Sequence, residues 1–185
     1  MNRDQVKAAA TETAGKVFDA VGMKMNTDER AARSVPTDAI DLLQQDHKHV
    51  KKLFKDYEAL GDRAHASKEK IAQEICGELK VHMQLEEEIF YPAARKAIKD
   101  ADMMDEADIE HAAAKDLIAQ IEAMKPDESH YDAQVKVLGE EIEHHVKEEE
   151  DEMFAKVKKT KLDLKALGER MSERKAQLKT ELGLT

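Results

Sequence analysis

Residues 78–92 read ELKVHMQLEEEIFYP, and residues 141–155 read EIEHHVKEEEDEMFA. Both segments contain the spacing Glu-x-x-x-His-x-x-x-Glu, and the second copy lies 63 residues after the first. Residues four apart lie on one face of an α-helix, so this spacing directs an imidazole and carboxylates to the same side. The residues concerned are Glu78, His82 and Glu86 in the first copy and Glu141, His145 and Glu149 in the second.

Two amphipathic helices are predicted in the first half of the surrounding sequence. The first begins after Pro36 with Thr37 as its N-cap and ends near Gly61. The second is capped by Ser67, and Pro92 is expected to kink or end it, because proline lacks a backbone N–H.

Two further helices complete the predicted bundle. The third begins within residues 102–105 and stops at Pro126, and the fourth begins near Ser129. Short connections make consecutive helices antiparallel. The sequence therefore predicts an all-α fold, an up-down-up-down antiparallel four-helix bundle with extra N- and C-terminal helical segments.

Each predicted helix has one buried stripe, recognised by apolar residues that recur at steps of three and four. Histidines and glutamates interrupt these stripes near the middle of the bundle. The stripes are Ile40, Leu43, His47, Val50, Phe54 and Tyr57; Ile71, Ile75, Glu78 or Leu79, His82, Glu86, Ile89 and Ala93; Ala107, His111, Ala114, Ile118, Ile121 and Met124; and Tyr131, Val135, Leu138, Ile142, His145, Glu149 and Met153.

Residues outside the bundle form two flanking segments. Residues 1–35 are predicted to be a helical extension and linker, residues 36–159 the four-helix bundle, and residues 160–185 a C-terminal helical segment. Two arrangements fit the flanking helices: they dock on the bundle or fray in solvent, or they form a homodimer or partner contact. The sequence leaves both open.

Composition excludes several classes of protein. The 185 residues include 40 Asp and Glu against 30 Lys and Arg, a net charge of −10, which disfavours binding to nucleic acid or to anionic membranes. No apolar run is long enough for a membrane span. Cys76 is the single cysteine, so no internal disulfide forms and a cytoplasmic location is expected.

A second correspondence adds two more histidines to the repeat. Asp46-His47 matches Glu110-His111, 64 residues later. Histidines and glutamates that face one core need compensation, which either a network of mutual hydrogen bonds or a metal site provides. Imidazole and carboxylate together suit Fe, Mn or Zn. Because each half supplies two histidines and one glutamate, the repeat suggests two metals bridged by Glu86 and Glu149.

Taken together, these motifs resemble the hemerythrin-like, HHE cation-binding family over about residues 37–158. The resemblance implies a four-helix bundle with two non-haem iron ions that bind oxygen or related small ligands. Oxygen-carrying members have a further histidine where this sequence has Lys115. Carried over by motif, the implied metal ligands are His47, His82, Glu86, His111, His145 and Glu149.

Other polar residues near the motifs receive separate predictions. Glu78 and Glu141 either orient ligand histidines or form solvated rim charges, whereas Asp46 and Glu110 are expected on the helix surface. Tyr57 and Tyr91 are expected in the core or at the ends of the bundle, and a tyrosine near the metals is the alternative. Cys76 is expected to be a small buried residue. The histidines predicted to face solvent are His49, His65, His130 and His144.

Several functions remain compatible with this sequence. The first is a di-iron protein that binds O2, peroxide or nitric oxide, because eight protein–metal bonds leave some of about twelve octahedral positions open. The second is enzymatic breakdown of peroxide at the same centre. The alternative is an iron or redox sensor that signals to a partner without catalysis, and a structural zinc site is the remaining one.

Overall fold

The computed structural model describes residues 35–184, and every regular element in this range is helical. The helical extension and linker predicted for residues 1–35 lie outside the described residues except at Val35. No helix in the described part of the chain is long and apolar enough to cross a membrane. The elements are α1 (Ala39–Glu58), α2 (His65–Leu85), the π-helical turn π1 (Glu86–Phe90), α3 (Tyr91–Ile98), α4 (Ala101–Ala123), α5 (Tyr131–Glu148), the π-helical turn π2 (Glu149–Met153), α6 (Phe154–Val157) and α7 (Leu164–Glu181).

Helix α1 begins one residue later than a Thr37 cap requires. The N-cap is Asp38, whose carboxylate accepts a hydrogen bond from the backbone N–H of Asp41 at 3.0 Å. Thr37 instead donates its own backbone N–H to the Asp41 carboxylate at 2.8 Å. The prediction of Thr37 as the cap is therefore wrong by one position, because the carboxylate of Asp38 accepts from a free N–H of the first turn.

Helix α2 has no side-chain cap, and the prediction of Ser67 in that role is wrong. The helix begins at His65, and Lys68 donates its backbone N–H to the carbonyl of Ala64 at 2.9 Å. Ser67 therefore lies within the first turn.

The chain stays helical past Pro92, through Ile98. Pro92 is the second residue of α3 and lies in the first turn after π1, where a missing backbone N–H is tolerated. A π turn accommodates one more residue than an α turn, so the buried face moves by one position after it. Accordingly Phe90 and Ala94 are fully buried, whereas the predicted Ile89 and Ala93 are only partly buried.

Two apolar clusters fill the interior, one on each side of the histidine layer. The Phe90 cluster contains Leu43 and Ala107, and the Leu138 cluster contains Val50 and Ala114. In α1, His47 lies between Leu43 and Val50, and His111 has the same place in α4 between Ala107 and Ala114. The polar residues are thus enclosed by apolar side chains along the helix axes.

Helix α7 packs on the outside of α1 and α2 and extends the Phe90 cluster. Its residues Leu167, Met171 and Leu178 are buried in that cluster. Gly168 allows a close approach, since a Cβ there would lie 2.6 Å from the backbone nitrogen of Ala39. Backbone atoms cannot move aside as a flexible side chain can, so only glycine fits.

We expect Gly168→Ala to lower the free energy of unfolding by about 1–3 kcal/mol, because the new methyl group overlaps the backbone of α1. In an unpacked helix the same change would stabilise by about 1 kcal/mol. Gly61→Ala is the matched control, since no atom lies within 4 Å of a Cβ at Gly61. Urea denaturation measures both, and a more stable Gly168→Ala variant would contradict the close packing of α7.

Candidate metal centre

All six predicted ligand residues meet in one buried layer. The imidazoles come from α1, α2, α4 and α5, and the two carboxylates begin π1 and π2. None of these residues is more than 5% exposed. The members of this layer are His47, His82, Glu86, His111, His145 and Glu149.

The six residues form two donor groups that share one glutamate. His47, His82, Glu86 and Glu149 each place a ligand atom within 4.8 Å of the others, and so do Glu86, His111 and His145.

Short contacts join the donor atoms within each group. In the first group, Nε2 of His47 lies 3.2 Å from Nε2 of His82 and 3.2 Å from Oε2 of Glu149. In the second group, Nε2 of His111 lies 3.3 Å from Nε2 of His145 and 3.4 Å from Oε2 of Glu86. The donor atoms therefore converge on two adjacent points.

Carboxylates also contact the outward-facing Nδ1 atoms of three imidazoles. His47 pairs with Glu150 at 2.7 Å, and His145 pairs with Glu110 at 2.7 Å. Each carboxylate accepts a hydrogen bond from the Nδ1–H group of its histidine. This hydrogen bond fixes the tautomer in which the lone pair of Nε2 points inward. The prediction that Glu110 is only a surface acid is therefore wrong, and the role of Glu150 was not predicted.

Glu87 has the equivalent place in the second donor group. It accepts from Nδ1 of His111 at 3.0 Å and also pairs with Lys115 at 2.6 Å. The π turns bring Glu87 and Glu150 to this position, since each directly follows an inward glutamate that opens a π turn. The repeated acid pairs in the sequence were the available signal.

The fourth imidazole is held differently. Oδ2 of Asp46 faces Nδ1 of His82 at 3.7 Å, which is too long for a hydrogen bond. The expectation that Asp46 is a surface acid is nevertheless wrong, because it is largely buried behind His82. Glu78 instead pairs with Lys179 of α7, and Glu141 is exposed, so neither orients a ligand histidine.

Tyr91 is a member of the site, which agrees with the alternative that a tyrosine lies near the metals. Its hydroxyl oxygen lies 3.2 Å from Nε2 of His111 and 3.5 Å from Nε2 of His145. Burial, with the nearby charges of Glu86 and Glu149, raises the pKa of Tyr91, so the phenol keeps its proton. It is the one hydroxyl among the described residues that contacts these imidazoles.

Electrostatics separate the two buried glutamates. Burial and the charge of Glu149 raise the pKa of Glu86. Burial opposes ionisation of Glu149 as well, but its contact with His47 and the neighbouring imidazoles lower its pKa to about 2. Burial and the charge of His145 lower the pKa of His111 to about 4. Burial also lowers the pKa of His82. Burial opposes protonation of His47, but its contacts with Glu149 and Glu150 raise its pKa. His82 and His111 are therefore neutral near pH 7 and have free lone pairs.

These donors fit metal cations better than they fit a network of hydrogen bonds. All four carboxylate oxygens of Glu86 and Glu149 are buried without a hydrogen-bond partner in the structure. In the neutral form, His47, His111 and His145 each hold their proton on Nδ1 and donate a hydrogen bond from it to a carboxylate. Each then has only a lone pair at Nε2 and cannot donate there. Cations at the two convergence points would satisfy both sets of atoms.

The remaining histidines face outward as predicted. His49, His65, His130 and His144 are exposed. His144 does lie near Glu110 and Glu148, but its side chain is 60% exposed.

A small cavity connects the layer to the surface between α4 and α5. Its volume is about 80 Å³, and it reaches His145 and Glu149. The wall residues are Met103, Glu106, Ala107, Glu110, His145, Glu148, Glu149, Glu152 and Met153.

Comparison with known proteins agrees with this geometry. The hemerythrin HHE cation binding domain matches residues 38–157. The chain belongs to this family. The resemblance predicted from the motifs is thereby confirmed. Both His and Glu donor groups lie within the matched range.

Two known proteins are similar to this chain, one in structure and one in sequence. The crystal structure of a hemerythrin HHE cation binding domain-containing protein, the Rv2633c homolog from Mycobacterium kansasii, matches with a TM-score of 0.67 and 24% identity, covering 78% of this chain and 88% of that one. This likeness shows a common fold. A DNA nickase from Nostoc sp. (strain PCC 7120) is 29% identical over 121 residues, which are 64% of this chain and 33% of the nickase. The HHE chain thus spans about a third of that relative.

We expect opposite effects from removing the two buried charges in metal-free protein. Glu86→Gln should raise the free energy of unfolding as pH rises above about 4.5, because a group with a raised native pKa loses its proton first in the unfolded state. Glu149→Gln should lower the free energy of unfolding above the same pH. A carboxyl group with a depressed native pKa stabilises the folded state when it is ionised, and the variant loses this contribution. Each unit of pKa difference corresponds to about 1.4 kcal/mol.

Urea denaturation of chelator-treated protein between pH 4 and 8 measures this difference. The two variants differ from wild type by the same chemical change, so each serves as the control for the other. Equal effects of the same sign would contradict the asymmetry between Glu86 and Glu149.

Proposed function

We propose that this protein holds two non-haem iron ions between four antiparallel helices and there binds O2, hydrogen peroxide or nitric oxide, with peroxide decomposition as its activity. The proposed ligands are His47, His82, Glu86, His111, His145 and Glu149.

The observation that carries this proposal is the sharing of Glu86 by two donor groups. One group adds His47, His82 and Glu149, and the other adds His111 and His145. A glutamate common to both has two oxygens with which it can bridge two cations. A single structural zinc needs only four donors, so the second group would be unexplained.

The donor chemistry restricts which metals suit the centre. Imidazole with carboxylate suits iron, manganese and zinc, and Cys76 is remote from the layer, in the Leu138 cluster. Bound iron supplies open coordination positions and one-electron redox chemistry for small oxygen and nitrogen ligands. The family relationship supports a cation site and leaves the choice of metal to experiment.

The cavity favours small neutral ligands. Its volume of about 80 Å³ is sufficient for a molecule of two to four atoms. Glu106, Glu148 and Glu152 on its wall repel anions. O2, hydrogen peroxide and nitric oxide are all small and uncharged, which supports them over superoxide or nitrite.

Tyr91 contributes a neutral hydrogen-bond donor beside the second donor group. Its hydroxyl faces His111 and His145, within the layer that small ligands must reach. Because its pKa is raised, the phenol stays protonated and can donate to an oxygen atom brought there. Glu87 and Glu110 meanwhile hold the two imidazoles in one orientation.

We expect two metal ions per wild-type chain, and loss of metal in His82→Ala and in His145→Ala, because each variant removes one inward donor and leaves buried carboxylates uncompensated. His49→Ala and His144→Ala are matched controls, since both imidazoles face solvent. Elemental analysis after expression with added iron measures the content.

One firmly bound metal in the wild type, or none, would contradict the bridged pair. Loss of metal from His144→Ala but not from His145→Ala would contradict the assignment of donors on α5.

We expect Ala107→Leu to slow peroxide consumption severalfold without changing metal content, because the longer side chain fills part of the cavity. Ala112→Leu, on the exposed face of the same helix, is the control. Oxygen release and peroxide absorbance follow the reaction. A two-iron wild type that leaves peroxide unconsumed would contradict the enzymatic activity and favour ligand binding or sensing.

A further inference from the structure

The two halves of the metal centre differ at one of their four imidazoles. His47, His111 and His145 each contact a carboxylate through Nδ1 at 2.7–3.0 Å. His82 does not, since its Nδ1 is buried without a hydrogen-bond partner and lies 3.7 Å from Asp46. The repeat therefore has one unmatched position.

The corresponding residues of the repeat show what is different. Asp46 precedes His47 and faces His82, just as Glu110 precedes His111 and contacts His145. Aspartate is one methylene shorter than glutamate, so Asp46 has less reach.

A cation from α7 accounts for the rest of the difference. Lys175 donates to Oδ1 of Asp46, while Oδ2 of Asp46 is left buried and without a hydrogen bond. The pairs found for Glu110 are with His144 and His145 only, and no lysine or arginine of the described residues reaches it. Lys175 thus binds the carboxylate that the repeat would otherwise assign to His82.

Packing and charge fix Lys175 in this position. Met171 and Leu178, on the same helix, are buried in the Phe90 cluster. Arg174 pairs with Glu88 at 2.7 Å, and Lys179 pairs with Glu78 at 2.7 Å. Helix α7 also lies beyond residues 38–157, the range that matches the HHE domain. A segment outside the domain therefore reaches into the surroundings of a ligand histidine.

We propose that Lys175 is a positioning residue: by holding Asp46 away from His82, helix α7 makes the cation position of His47 and His82 the weaker of the two. This inference rests on the proposed metal centre. An Nδ1 hydrogen bond to a carboxylate orients an imidazole and increases its basicity, and losing it costs about 10- to 100-fold in metal affinity. His82 lacks this support, so the two cations bind in separate steps.

Cobalt(II) titration with a competing chelator tests the inference through Lys175→Met. Wild type should bind in two steps of unequal affinity. The variant frees Asp46 to accept from His82, so the weaker step should tighten by about tenfold and approach the stronger one. Lys179→Met is the matched control, because it removes an ion pair between α7 and α2 that touches no imidazole.

A double-mutant cycle isolates the role of Asp46. Asp46→Asn should change the weaker step little in the wild-type background and weaken it about tenfold in the Lys175→Met background. Equal effects of Asp46→Asn in both backgrounds would overturn the proposal, as would a weaker step that fails to tighten in Lys175→Met.

Metal-free protein provides a readout that does not depend on the proposed function. In nitrogen-15 NMR spectra, Lys175→Met should give His82 a hydrogen-bonded Nδ1 proton that wild type lacks. Asp46→Glu should produce the same signal with Lys175 in place, because the extra methylene extends the reach of the carboxylate. This variant replaces Lys175→Met in the test if Lys175→Met folds poorly.

The outcomes separate the two proposals. Fewer than two cobalt ions in wild type would count against the bridged centre, and the NMR signal would still decide the role of Lys175. Two equal steps in wild type, or no new His82 signal in either variant, would overturn the positioning role alone.

Discussion

The arrangement depends on two buried carboxylates that face four imidazole nitrogens. Glu86 and Glu149 have no hydrogen-bond partner for any of their oxygens, and the Nδ1 contacts of His47, His111 and His145 leave only lone pairs turned toward them. Such a group is unfavourable inside a protein unless cations balance it. The apolar clusters on either side exclude water and so strengthen the requirement.

The two π turns resolve a geometric problem that a continuous α-helix cannot. A glutamate at the start of each turn points into the layer, and the next residue, Glu87 or Glu150, reaches the Nδ1 of a histidine from another helix. Adjacent residues on an α-helix diverge by about 100°. The additional residue of the π turn widens the backbone, so two neighbouring acids serve the same centre.

Helix α7 adds an asymmetry to a centre built from two similar halves. Its buried side chains attach it to the Phe90 cluster, and Gly168 lets it approach the start of α1 closely. That approach brings Lys175 against Asp46. A helix that binds outside the repeat can therefore distinguish two positions that the repeat alone would make equivalent.

The sequence by itself determined the four helices, their buried stripes and all six inward donors, because each depends on spacing along one helix. The outward direction of His49 and His144 follows from the same periodicity. Tertiary structure decided which acids contact which imidazoles. Glu110, Glu87 and Glu150 contact histidines on other helices. Asp46 instead pairs with Lys175. It also shifted the buried face from Ile89 to Phe90, since a π turn breaks the 3.6-residue period that sequence reasoning assumes.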